Sequence, residues 1–147
     1  MPRTFVYIAS DHAGLSLKAK IADSLRKQKI EFEDLGPAKA ASVDYPDFAQ
    51  KVARKVLVHK KACGILICGT GIGMAIAANR FAGIRAARCL SSTDARLARE
   101  HNNANVLTLG ARQLSSAPAQ QIVQKFLETK FAGGRHKRRI RKIETKV

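Results

Sequence analysis

The sequence has no tryptophan, two tyrosines and three cysteines, and its 11 acidic residues are outnumbered by 27 lysines and arginines. Each scarcity excludes something. With aromatics at 5%, the chain lacks the interleaved basic and aromatic side chains on which single-stranded nucleic acid stacks. Cys63, Cys68 and Cys89 are odd in number and form no C-x-x-C pair. That argues against a metal site or a disulfide framework, and for reduced thiols in a cytoplasmic protein. No apolar run reaches the roughly 18 residues that a membrane span requires. Met1-Pro2-Arg3 leads straight into a strand-like segment, with no signal-peptide core ahead of it.

What is present is a chain of 147 residues with 46% apolar content, enough for one domain over 1–147 with a real core. The formal charge of +16 is the compositional anomaly. Arg135, Lys137, Arg138, Arg139, Arg141, Lys142 and Lys146 crowd the C-terminal segment against a single acid, Glu144, yet the excess extends over the rest of the chain too. Such a balance fits a polyanion binder. It fits equally a solvated basic surface that takes up phosphorylated small molecules.

The stretch with the most chemistry is Cys63 to Asn79, CGILICGTGIGMAIAAN. Ile65 to Cys68 is a short apolar run suited to a strand buried on both faces. Gly69, Gly71 and Gly73 interrupt it, and Met74 to Asn79 is Ala-rich and helix-competent. Glycines between a strand end and a helix start let backbone N–H groups converge on an anion or a developing oxyanion. Cys68 stands at the mouth of that loop, where such a field favours its thiolate. Neither nucleotide loop fits: Gly73 is followed by Met74-Ala75 rather than Lys-Ser/Thr, and no G-x-G-x-x-G can be read from Gly69 or Gly71. Taken alone, the loop admits equally a tight turn beside a structural buried thiol.

In chain order, the pattern predicts a strand over Thr4–Ser10, a helix over Leu15–Gln28 and a strand over Ile30–Leu35. A helix follows from an Asp44 cap, starting at Pro46 because Tyr45 precedes a proline, and running to about His59. After the glycine loop come a strand over Ile84–Leu90 and a helix over Asp94–His101 capped by Ser91-Ser92-Thr93. A strand over Val106–Leu109, a helix over Pro118–Lys130 and a basic helix over Arg135–Lys146 complete the chain. Five alternations of strand and helix imply an α/β, three-layer αβα Rossmann-like fold, with a five-stranded parallel sheet and a C-terminal helix. Ligands of such sheets bind beyond the carboxyl ends of the strands. Asp11-His12, the Cys68 loop and Arg112 all follow strands. His101-Asn102-Asn103 precedes one, and so belongs toward the opposite rim, from which it can join a site by meeting another subunit's clusters across an interface.

The ordered set Ser10-Asp11-His12-Ala13-Gly14, Val43-Asp44-Tyr45-Pro46, Cys68-Gly69-Thr70-Gly71-Ile72-Gly73, Ala77-Ala78-Asn79, His101-Asn102, Gly110-Ala111-Arg112 and Gly134-Arg135-His136-Lys137-Arg138-Arg139 resembles the type B ribose-5-phosphate isomerases. These sit within a wider group that includes galactose- and allose-6-phosphate isomerases. The resemblance spans nearly the whole chain. It implies a metal-free and cofactor-free aldose–ketose isomerisation of ribose 5-phosphate and ribulose 5-phosphate through ring opening and a cis-enediolate, with a hexose 6-phosphate as the alternative substrate. Nucleic-acid binding on the same scaffold is the weaker alternative.

By the same resemblance Cys68 is the base, Thr70 the hydroxyl beside it, His101 the ring-opening acid/base, and Asp11 the group that orients hydroxyls. The backbone of Gly69, Thr70, Gly71, Ile72 and Gly73 stabilises the enediolate. Asn102 bonds the sugar, and His12, Arg112, Arg135 and Arg139 bind the phosphate, for which planar guanidinium forks are suited. Tyr45 is assigned to substrate contact rather than to a staple at the helix start. Met74 stands where some relatives carry a carboxylate base, which groups this chain with the thiol-base members. Arg80 and Ala75 replace the usual lysine and serine. The resemblance further implies a homodimer, or a tetramer, in which the His101 segment of one subunit completes the Cys68 loop of the other.

Overall fold

The computed structural model describes residues 5–144. Its strands are β1 (Phe5–Ser10), β2 (Glu31–Asp34), β3 (Ala62–Cys68), β4 (Ala86–Arg88) and β5 (Val106–Gly110). The helices between and after them are α1 (Leu15–Lys27), α2 (Tyr45–Val58), α3 (Ile72–Ala78), α4 (Ser92–Asn102), α5 (Ser116–Glu128) and α6 (Arg135–Ile143). All strand pairs are parallel, in the order β2-β1-β3-β5-β4. Thr4 and Lys146, assigned to the first strand and last helix from sequence, lie outside the described residues. No described helix is long and apolar enough to cross a membrane.

The alternation of side chains along β1, β3 and β5 sorts the core into two layers. On one face Val6, Ile8, Ile65, Ile67, Leu107 and Leu109 meet Leu17, Ile21 and Leu25 of α1, together with Ile122 and Phe126 of α5. On the other, Tyr7, Ala9, Leu66 and Cys68 meet Phe48, Val52 and Val56 of α2 and Met74 and Ala78 of α3. The three-layer αβα arrangement follows from strands apolar on both faces.

Several boundaries differ from the sequence reading. β3 begins at Ala62, and Cys63 and Gly64 pair with Val6 and Tyr7. Gly64 is a strand residue because α2 leaves no room above it: a Cβ there would sit 2.5 Å from Val52 Cγ1. Gly64→Ala is therefore expected to cost ~1–3 kcal/mol of overpacking, seen as a lowered thermal midpoint at fixed protein concentration. The fourth strand shrinks to Ala86–Arg88, which run in parallel register with Val106–Thr108 of β5; Arg85 and Cys89, at its two ends, each add one backbone bond to β5. α3 starts at Ile72 rather than Met74, α2 at Tyr45, and α5 at Ser116 with Pro118 in its first turn. Asp44 occupies the N-cap position of α2 without a side-chain capping bond. Ser91 does cap α4: its side chain accepts from Asp94 N at 3.1 Å while Asp94 Oδ2 accepts from Leu90 N at 3.0 Å. Each side chain thus satisfies a backbone donor that the helix leaves unpaired.

Candidate active site

The carboxyl ends of β1, β3 and β5 meet at one rim. β1 is followed by Asp11, which is buried and whose Oδ1 accepts from Gly14 N at 3.0 Å. Asp11 N donates to Ile67 O at 3.0 Å, which stitches this turn to the end of β3. His12 is exposed, and its Nδ1 accepts from Val43 N at 3.3 Å. In the neutral ring that leaves Nε2 as the donor.

Cys68 closes β3 opposite Gly110. Gly71 N donates to Cys68 Sγ at 3.1 Å, and Ile72 N donates to Thr70 Oγ1 at 3.2 Å. The sulfur is therefore met by a backbone N–H, and the Thr70 hydroxyl oxygen by the next one along the loop. Gly71 takes the left-handed conformation, φ 78°, that turns the chain sharply enough to bring its N–H back to the sulfur. α3 is only seven residues long, so individual N–H groups of the loop carry the field here rather than an extended helix dipole. Two side chains lie directly on loop glycines. A Cβ on Gly69 would be 2.7 Å from Arg112 Nη1, and one on Gly73 would be 2.6 Å from Tyr45 Cζ. One subunit thus brings Asp11, His12, Tyr45, the 69–73 loop and Arg112 to the crevice around Cys68.

The remaining predicted residues gather elsewhere. His101 and Asn102 end α4 and lead into the start of β5. Five residues of β5, ~13 Å of strand at ~3.3 Å per residue, separate them from the rim that carries Cys68. Arg85 holds this second cluster together. Its Nε donates to Asn102 O at 3.0 Å, and its Nη1 pairs with Glu144 beyond α6 at 3.2 Å. Asn103 ends α4 in the left-handed conformation, φ 45°, as a C-terminal cap. Arg135 and Arg139 lie one turn apart on α6.

Between them on α6 is His136, to which the motif resemblance gave no role. The His136 ring stacks on His101, with centroids 4.5 Å apart and planes 16° from parallel. Loss of hydration first, then His101, Arg135 and Arg139, hold the His136 imidazole below the usual histidine range. Its position next to Arg135 was the available signal, but nothing in the linear sequence brings α6 onto α4. A groove of about 880 Å³ runs along the free edge of β4; it is lined by Asn102, Arg85 and Glu144 but not by Cys68. Of the other thiols, Cys63 is fully buried, and burial followed by Asp94 pushes Cys89 up to about 12. Cys89 therefore remains protonated and inert.

A thiol met by a backbone N–H, a buried carboxylate and an arginine at the carboxyl rim of a doubly wound sheet are the arrangement of an α/β enzyme that binds a small molecule beyond its strand ends. Residues 6–143 match the family described as Ribose/Galactose Isomerase. The chain is 54% identical to a ribose 5-phosphate isomerase from Thermotoga maritima of known structure, with a TM-score of 0.94 over 96% of this chain and 97% of that one. It is 48% identical to ribose-5-phosphate isomerase B from Mycoplasma genitalium, whose crystal structure holds ribulose-5-phosphate, with a TM-score of 0.92 over 95% of this chain and 93% of the other. Ribose-5-phosphate isomerase B of Escherichia coli is 43% identical over 133 residues, 90% of this chain and 89% of that protein. The chain belongs to the ribose/galactose isomerase family.

Proposed function

We propose that the protein interconverts ribose 5-phosphate and ribulose 5-phosphate with Cys68 as the base. The observation that carries this is the Gly71 N–H directed at Cys68 Sγ, within a family whose relatives carry the pentose-phosphate activity in their names. In the open-chain aldose, Cys68 as thiolate takes the C2 proton. The electron pair moves into the C1–C2 bond, and the carbonyl oxygen becomes an enediolate oxygen met by loop N–H groups. The O2 hydroxyl proton passes to O1, and the Cys68 thiol returns its proton to C1 as the O2 electron pair forms the C2 carbonyl, which gives the ketose and restores the thiolate. Asp11 orients hydroxyls, Tyr45 walls the crevice, and His12 and Arg112 face the phosphate.

His101 of the partner subunit opens the sugar ring, Asn102 of the partner subunit holds it, and Arg135 and Arg139 of the partner subunit complete the phosphate site. Two observations support a shared site in a homodimer. The second cluster lies a strand's length away within one chain. Beside the loop, Ile72 and Ile76 are 46% and 63% exposed, and, four apart on α3, they form an apolar face for a second subunit to cover. The same reading puts the enzyme in the cytoplasm, where three free cysteines stay reduced.

The test is turnover by the purified protein of ribose 5-phosphate, allose 6-phosphate and galactose 6-phosphate in parallel. The expected result is a kcat/KM for the pentose at least about tenfold above either hexose, a gap equal to ~1.4 kcal/mol of transition-state binding. Turnover confined to a hexose keeps the chemistry and moves the substrate. No turnover from a folded protein overturns the enzyme reading.

A further inference from the structure

The sulfur is reached from behind its loop. The Gly71 N–H that donates to Cys68 Sγ belongs to the same peptide plane as the Thr70 carbonyl, and that carbonyl accepts from Arg88 Nε at 2.8 Å. A guanidinium, one peptide unit and the thiol therefore stand in series. A peptide is planar, so holding its carbonyl fixes the direction of its N–H. Hydrogen bonds in series polarise one another, and a charged donor at the head of the chain strengthens the far end.

The neighbouring planes are held in the same way, though by different means. Cys68 O and Gly69 O accept from Ala111 N and Arg112 N at 2.8 and 3.0 Å, and Gly71 O accepts from the buried Thr108 hydroxyl at 2.8 Å. Of four consecutive carbonyls, only Thr70's depends on a charged side chain, and on one from a different strand. Arg88 is itself pinned, its Nη2 donating to Gln113 Oε1 at 2.5 Å.

We propose that Arg88 is a positioning residue for the Cys68 centre, acting through the Thr70–Gly71 peptide to aim and strengthen the N–H that meets the sulfur. This rests on the reading of Cys68 as the base. Nothing in the sequence marks Arg88 for the role: it is one of many cations in a basic chain, and the contact joins residues 18 apart.

The test compares Arg88→Met and Arg88→Lys by steady-state kinetics on ribose 5-phosphate and by the rate of Cys68 alkylation with iodoacetamide. Arg88→Met is expected to lower kcat about tenfold, short of the ~10²-fold that loss of a whole oxyanion donor costs, with KM held within about twofold. Alkylation of Cys68 slows in step. Arg88→Lys, which still donates to Thr70 O, recovers most of both. Gln113→Leu, which loosens Arg88 without removing it, moves kcat the same way by less, and so tests the idea even if Arg88→Met fails to fold. Wild-type kcat and alkylation in Arg88→Met overturn the proposal. So does an equal loss in the Met and Lys variants with a raised KM, the mark of general support for the loop. Slowed alkylation with unchanged turnover leaves the Arg88 link standing and removes Cys68 as the base.

Discussion

Replacing Cys68 by alanine is expected to lower kcat for ribose 5-phosphate by about 10²–10⁴-fold, the usual contribution of a positioned base. The effect is chemical because the site can absorb the change: Cys68 is 5% exposed at a strand end, and alanine suits the same backbone. The structural cost is one unpaired N–H at Gly71, ~1–3 kcal/mol if no water replaces the sulfur. Cys68→Ser separates the two effects, since its hydroxyl can accept from Gly71 N yet is a far weaker base than a thiolate. Cys68→Ser should unfold near the wild-type midpoint and Cys68→Ala below it by a few degrees per kcal/mol lost; both should bind the product with near wild-type affinity, and both should show the full loss of kcat. More than a tenth of wild-type kcat in either variant would exclude Cys68 as the base.

The second large effect is a recovery. Cys68→Ala and His101→Ala proteins are each expected to be nearly inactive. Unfolded together and refolded as a mixture, they should regain about a quarter of wild-type activity. In a two-fold dimer with shared sites, a mixed pair has one site carrying both substitutions and one carrying neither. Half of randomly assembled dimers are mixed, and half of their sites are intact. Sites confined to single chains predict no recovery at any mixing ratio. The expectation rests on where the chain puts its histidine. His101 stacks on His136 at the end of α4, a full strand away from Cys68, and no rotamer spans that distance.

Much of this was legible before any coordinates. Ile65 to Cys68 reads as a buried strand because four apolar residues meet a glycine, and the strand-end rule puts Asp11, Cys68 and Arg112 on one rim without further knowledge. The errors have local causes. Gly64 resembles punctuation, yet it is a strand residue whose lack of a side chain admits Val52. The fourth strand is apolar enough for seven residues but is regular over three, Ala86–Arg88; its first residue is paired with Val106, where β5 begins, so its start is set by the neighbouring strand rather than by its own side chains. The roles of Arg88 and Thr108 could not be read, and that of His136 only from its place beside Arg135. Their roles are contacts between distant segments, 18 residues apart for Arg88 and Thr70 and 37 for Thr108 and Gly71, and no periodicity encodes them. The Tyr45 ring lies against Gly73, a contact that neither charge nor periodicity predicts.

The two side chains resting on loop glycines also set how the sequence can drift. Arg112 fills the space a Gly69 side chain would need, and Tyr45 fills that of Gly73. Neither member of a pair is free to change alone: a larger residue at 69 or 73 evicts its partner, and a smaller one at 112 or 45 leaves the bare backbone open to water. Substitutions at these positions must therefore couple rather than add. A lineage leaving this arrangement has to move both halves of a pair at once, so the crevice wall is inherited as two linked characters instead of four separate ones.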